Sequence, residues 1–235
     1  MQSPLKQLVT FTGQTAGLEK TLRLIQAVSQ IVGVTSDDKT LSTQCLAARD
    51  QLALGCRRYF RLLDFYGCFE RVHVLSTTPS SAGAVLATME LAQFTFLGLY
   101  LFLENFTILH DMNVARVDWY RPLMTEANKF WFYALVLSIL RMTWLIFFPV
   151  EATPAKGKGK GKSKSNGKVD AEKETAKQPK WPLVKKIIID GCDLTLPGSF
   201  VGWVPASGLQ VGAAMVVSTV LVGHNVWLAQ QARLT

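Results

Sequence analysis

Apolar positions return at helical spacing over the first third of this chain and then run almost unbroken over three later stretches. Between Thr15 and Val32, Leu18, Leu22, Ile25, Val28 and Val32 recur every three or four residues, while Glu19, Lys20, Arg23, Gln26 and Gln30 take the other faces. That period predicts an amphipathic helix. Gly33 follows, where a helix stop is expected. Thr35–Lys39 predicts a polar turn, with Ser36, Asp37 or Thr40 available as a cap. Thr40–Leu54 predicts a second helix with Leu41, Cys45, Ala48 and Leu52 on one side. A helix over Arg57–Arg71 continues it after a bend at Gly55. The N-terminal region, residues 1–76, therefore reads as an amphipathic helical hairpin.

The second arm ends in the most distinctive pattern of the chain. At about 100° per residue, Tyr59, Leu62, Leu63, Tyr66 and Phe69 share one face. Arg57, Arg61, Asp64 and Arg71 fall on the other, with Arg58 and Phe65 at the border. Such a helix suits the plane of a bilayer: rings sink among acyl chains while guanidinium groups meet lipid phosphates. An ordinary surface helix on a soluble core has the same periodicity. The candidate membrane-insertion residues are Arg57, Arg58, Tyr59, Phe60, Arg61, Leu62, Leu63, Tyr66, Phe69 and Arg71.

After the Thr/Pro/Ser/Gly linker Thr77–Gly83, residues 77–148 predict apolar membrane-associated helices. Ala84–Leu103 has Glu90 and Gln93 as its polar exceptions and is long enough to cross the hydrocarbon core. His110–Asn128 reads as irregular, with Arg121-Pro122 breaking any helix. Phe130–Phe148 is apolar around Arg141, a residue that costs about 2.5–3.5 kcal/mol at a membrane centre. This segment must lie at the interface, pack against another helix, or let Arg141 snorkel. Trp131, Tyr133 and Trp144 suit an interfacial belt. Residues 149–182 change abruptly to a Lys/Gly-rich run with almost no apolar residue, which predicts a disordered, charged linker. Residues 183–235 predict a C-terminal membrane anchor. Within it Asp190–Pro197 reads as a turn, and Gly208–Leu228 is the strongest spanning candidate. Gly208 and Gly212 form a G-x-x-x-G pattern that lets another helix approach closely. The expected fold class is all-α: a helical membrane protein with an N-terminal amphipathic hairpin, apolar inserted or spanning helices and a C-terminal transmembrane helix.

Composition moves the balance towards the bilayer. Hydrophobic residues make up 49% and charged residues 18% of the 235, against about 25% charged in a soluble domain. The mean hydropathy is +0.21. A net charge of +8 points to an anionic partner surface, lipid or nucleic acid. Lysine without interleaved aromatics offers only sequence-independent phosphate contact, so anionic membrane lipid is the expected partner and nucleic acid is not. Cys45, Cys56, Cys68 and Cys192 have no C-x-x-C spacing and read as reduced thiols. His73, His110 and His224 lie too far apart for a zinc motif. Lys6, Glu19, Lys20 and Arg23 interrupt any early apolar run, so no secretory signal is expected. The chain ends Ala-Arg-Leu-Thr, and Thr235 spoils a peroxisomal matrix address. No phosphate loop, dinucleotide fingerprint, zinc-protease motif or nucleophile elbow occurs. No catalytic residue, cofactor or metal is expected.

Three segments, Gly17–Gln26, Arg57–Leu62 and Asp193-Leu194 with the Gly-rich apolar span after it, resemble the peroxin-11 family, the peroxisomal membrane proteins that elongate and divide peroxisomes, in its fungal-type form. Gly17-Leu-Glu-Lys-Thr-Leu-Arg-Leu-Ile-Gln26 is similar to the family's G-x-E-K-x-L-R-L-x-Q helix. Arg57-Arg-Tyr-Phe-Arg-Leu62 is similar to its R-K-x-x-R-L segment. Asp193-Leu194 followed by a Gly-rich apolar span is similar to its C-terminal block. The Lys/Gly linker departs from the common pattern. The resemblance implies membrane remodelling without catalysis, insertion of the N-terminal helices on the cytosolic face, and self-association as a homo-oligomer. It also implies recruitment of peroxisomal fission machinery and recognition by a membrane-protein import receptor. Competing readings are a small-solute channel of the peroxisomal membrane and a membrane-tethered basic binding protein. Few polar residues fall on one face of Ala84–Leu103 or Gly208–Leu228, so no pore lining is evident from them. Topology is in tension. The basic linker should stay cytosolic with the N-terminal region, whereas the resemblance implies that both termini are cytosolic.

Overall fold

The computed structural model describes residues 4–53, 58–78, 83–112, 114–148 and 180–234. Among them every regular element is helical: α1 (Pro4–Thr12), α2 (Thr15–Thr35), α3 (Lys39–Gln51), a short 3-10 turn (Tyr59–Arg61), α4 (Asp64–Thr77), α5 (Ala84–Asn105), α6 (Ile108–Asp111), α7 (Tyr120–Phe147), α8 (Lys180–Val201) and α9 (Gly208–Leu234). The all-α class expected from the sequence is what forms. Ala84–Asn105, Tyr120–Phe147 and Gly208–Ala232 are each long and apolar enough to cross a membrane. The Lys/Gly run and Arg57 lie outside the described residues.

Neighbours pack in the order α3, α2, α9, α8, α7, α5, α4, so the two ends of the chain meet in the middle of the bundle. One apolar centre joins Cys68 of α4, Tyr100 and Leu101 of α5 and Ala127 of α7. A second joins Ala27 of α2 to Val211 and Met215 of α9. Glycine makes both approaches possible. A methyl group built on Gly98 would stand 3.0 Å from the Phe69 ring, and one on Gly212 would stand 2.8 Å from Ile31 Cγ1.

Four local expectations change. Gly33 does not stop α2, which runs on to Thr35; it makes room for Leu46 of α3 instead. The cap of α3 is Asp38, whose Oδ1 accepts from the Thr40 amide at 2.8 Å. Pro122 does not break α7, because it occupies the first turn, where its missing N–H has no helical partner to lose. Asp190–Pro197 is no turn but the interior of α8. Its acidic side chains are used against other helices: Asp190 accepts from Ser138 of α7 at 2.6 Å, besides Lys186 one turn back in α8 at 2.6 Å, and Asp193 pairs with Arg23 of α2.

Candidate functional site

The arginine–aromatic segment folds around Arg58. Its side chain is buried, and its guanidinium meets Glu104 of α5 at 3.1 Å and Asp111 of α6. It also donates to Thr107 Oγ1 at 3.2 Å. Glu104 in turn accepts from the Tyr100 hydroxyl at 2.9 Å. A buried guanidinium is stable only when both its charge and its donors are satisfied. Two carboxylates, a hydroxyl and a thioether at 3.7 Å supply that here.

This clamp ends the continuous helix expected over Arg57–Arg71. Fixing Arg58 between α5 and α6 leaves a single 3-10 turn, Tyr59–Arg61, and a break at Leu62-Leu63 before α4 begins at Asp64. Asn105 at the end of α5 holds the break by donating to the Leu62 carbonyl at 2.6 Å. The faces are sorted accordingly. Tyr59, Phe60, Leu62, Leu63 and Tyr66 form an exposed ridge, with Leu63 at 71% and Tyr66 at 67%. Phe65 and Phe69 turn inward, onto Phe102 and Gly98 of α5. Arg71 is exposed and pairs with Glu90 at 2.6 Å, and Glu90 also takes Arg141 at 2.9 Å. So Arg141 is neutralised by packing against α5, one of the three solutions its place in an apolar helix allowed. Arg58, by contrast, has no charge left for a lipid phosphate, because its carboxylate partners lie inside the protein.

Arg61 stands between these two surroundings. Its guanidinium lies 5.6 Å above the Tyr100 ring. Burial disfavours its charge, but Tyr100, Glu104, Glu19 and Asp64 outweigh that and hold its pKa above the usual arginine range. It faces a cavity of about 480 Å³ between α2, α4, α7 and α8, with Glu19, Lys20, Arg23, Asp64, Trp131 and Asp193 among the lining residues. The polar lining comes from α2, the 3-10 turn, α4 and α8, not from the apolar helices in which a pore face was sought. Two signals in the sequence could have located it: Arg23 sits on the polar stripe of α2, and Asp190 and Asp193 interrupt a largely apolar stretch.

Gly208 and Gly212 lie against α2. Methyl groups built on them would stand 3.1 Å from Val34 and 2.8 Å from Ile31. The helix they admit thus belongs to the same chain. Among the described residues no group of three or more His, Cys, Asp or Glu is placed to hold a metal ion. Cys45, Cys68 and Cys192 are free thiols.

A helical bundle with three helices long and apolar enough to cross a membrane, and with ion pairs such as Arg23–Asp193 and Arg58–Glu104 buried between helices, is built as a membrane protein. The chain matches the family model of peroxisomal biogenesis factor 11 (PEX11) over residues 5–227 and belongs to that family. It is accordingly a peroxisomal membrane protein, of a family linked to peroxisome biogenesis and division that is structural and not a known enzyme family. No curated protein and no solved structure matches the chain.

Proposed function

We propose that this protein elongates and helps divide peroxisomes by wedging the Tyr59–Tyr66 ridge into one leaflet while the apolar helices anchor it. The observation that carries this reading is the ridge itself. Five large apolar side chains, from Tyr59 on the 3-10 turn to Tyr66 in α4, stand outward on a segment that Arg58 ties to the bundle, so lipid offers them a burial that the described residues do not. A wedge in one leaflet expands it and favours curvature, and copies that self-associate as a homo-oligomer concentrate the effect. Anionic lipid is the partner of the basic stretches, each lysine or arginine near the surface contributing about 1 kcal/mol. Peroxisomal fission machinery and an import receptor would act on the same protein, and no catalytic step or cofactor is involved.

Leu63→Glu tests the wedge. Its side chain is 71% exposed, so the substitution leaves the fold in place. The expected result is loss of vesicle tubulation by the full-length protein with targeting unchanged. Unaltered tubulation would sink the mechanism.

One observation favours a second reading, a small-solute pathway. The cavity beside Arg23, Arg61, Asp64 and Asp193 places opposite charges around about 480 Å³ of space within the bundle. Solute flux through reconstituted vesicles that falls with Asp64→Leu, tubulation being retained, would support it.

A further inference from the structure

We propose that the cavity between α2, α4, α7 and α8 binds a small free zwitterion, an amine that also carries a carboxylate, with Arg61 taking the oxyanion and Asp64 the ammonium. Such a site rests on the small-solute reading of that cavity and gives the solute its chemical class.

The charges around the cavity divide into those already matched and those left over. Glu19 pairs with Lys20, and Arg23 pairs with Asp193. Glu104, a further carboxylate near Arg61, is taken by Arg58 at 3.1 Å and by the Tyr100 hydroxyl at 2.9 Å. Arg61 therefore rests on the face of the Tyr100 ring, and Glu104, Glu19 and Asp64 act on it only from longer range. Among the described residues no opposite charge comes within ion-pair distance of Arg61 or of Asp64. The reason is local. In an unbroken helix these two residues, three apart, would be neighbours on one face. The break at Leu62-Leu63, where Leu63 has φ −107° and ψ 6°, parts them. The Arg58 clamp and the Asn105 bond to the Leu62 carbonyl hold that break in place. A fixed cation and a fixed anion thus face one cavity without meeting.

The space suits a ligand of amino-acid size. Its volume of about 480 Å³ lies within the range of small-molecule sites. Phe60 and Trp131 supply aromatic wall, and Trp131 is braced by Tyr100, whose ring is stacked on it with centroids 5.0 Å apart. Such rings pack an apolar side chain and also attract an ammonium. Lys20, Arg23 and Arg61 balance Glu19, Asp64 and Asp193 around the lining. A ligand of zero net charge leaves that balance undisturbed while gaining a charge-assisted bond at each end.

Depth sets the orientation. Arg61 is half-buried and Asp64 is exposed, so the oxyanion points inward and the ammonium stays at the mouth. A phospholipid headgroup is ordered the other way, because its phosphate carries the glycerol and acyl chains while its ammonium is the free end. The arrangement selects a free zwitterion over a lipid.

Equilibrium dialysis of the full-length protein in non-ionic maltoside micelles tests this. L-Leucine is compared with 4-methylpentanoate, which lacks the ammonium, and with 3-methylbutylamine, which lacks the carboxylate. Leucine should bind saturably and about tenfold or more tighter than either analogue, the share of one charge-assisted hydrogen bond. Asp64→Asn should bring leucine down to the level of 4-methylpentanoate, and Arg61→Gln to the level of 3-methylbutylamine. Asp64 is exposed, so its variant keeps the fold and decides the matter even where Arg61→Gln unfolds. Absence of saturable leucine binding, or an unchanged preference for leucine in Asp64→Asn, overturns the site. A lipid headgroup without acyl chains, sn-glycero-3-phosphoethanolamine, should bind more weakly than leucine; equal or tighter binding overturns the free-solute assignment. Dialysis involves neither transport nor tubulation. Saturable binding without flux through vesicles would keep the site and reject the pathway, and flux without saturable binding would do the reverse.

Discussion

The α2 helix and the segment from Arg58 to Arg71 begin as the same kind of pattern, an apolar stripe beside arginines, and end in opposite arrangements. In α2 the polar stripe is buried and the apolar stripe is outside. Arg23 is spent on Asp193, and Gln30 on a backbone carbonyl. In the second segment the stripe is divided. Arg58 is buried in a carboxylate clamp, Phe65 and Phe69 pack inward, and Tyr59, Leu63 and Tyr66 stay outside. Amphipathic periodicity establishes that a helix has two faces. It does not say which face the protein takes and which the surroundings take. That is decided by where partners of opposite charge sit on other helices, because an unpaired buried charge costs more than an exposed leucine.

Three substitutions probe that contrast. The largest effect is expected at the core of α2. Asp193→Ala strips Arg23 of its carboxylate and should destabilise the protein by about 3–5 kcal/mol. Unfolding in mixed detergent micelles measures this. The double variant Arg23→Ala with Asp193→Ala should recover part of the loss, because no charge is then stranded. A single-variant cost under that of an ordinary surface change would mean the pair is not buried in the membrane-embedded protein.

Next comes the seam that holds α2 against α9. Gly212→Val pushes side-chain atoms into Ile31, where even a methyl group would stand 2.8 Å from Cγ1. Overpacking of this kind costs about 1–3 kcal/mol. The same micelle titration should show it, and trypsin should cut after Arg23 faster than in the parent chain. Unchanged protection of α2 would separate α2 from α9.

The smallest effect is expected on the outward segment. Arg71 is exposed and shares Glu90 with Arg141, so Arg71→Ala removes one surface ion pair while the carboxylate keeps its second partner. Such pairs contribute about 0–1 kcal/mol. Stability should be nearly unchanged, and binding to anionic vesicles should weaken by no more than one arginine's share, about 1 kcal/mol. A loss matching that of Asp193→Ala would mean Arg71 has a structural role like that of Arg58.

Much of this protein was legible in the chain itself. Local spacing and length determined that it is helical, that α5 and α9 can cross a membrane, and that Tyr59 to Tyr66 carries rings beside arginines, while Arg141 left the α7 stretch open. Gly208 and Gly212 marked a close helix approach. These properties follow from periodicity and hydropathy, which depend on neighbours in sequence. What only the tertiary structure decided depends on residues far apart. Asp190–Pro197 resembles a turn until Ser138 and Arg23 supply partners for its carboxylates. Gly33 resembles a helix end until Leu46 packs on it. Arg58 resembles a lipid-facing charge until Glu104 and Asp111, some fifty residues away, close around it. The physical reason is the same in each case. A charge or a gap is costly in isolation and acceptable when matched, and the match is made in space between helices that the sequence keeps apart.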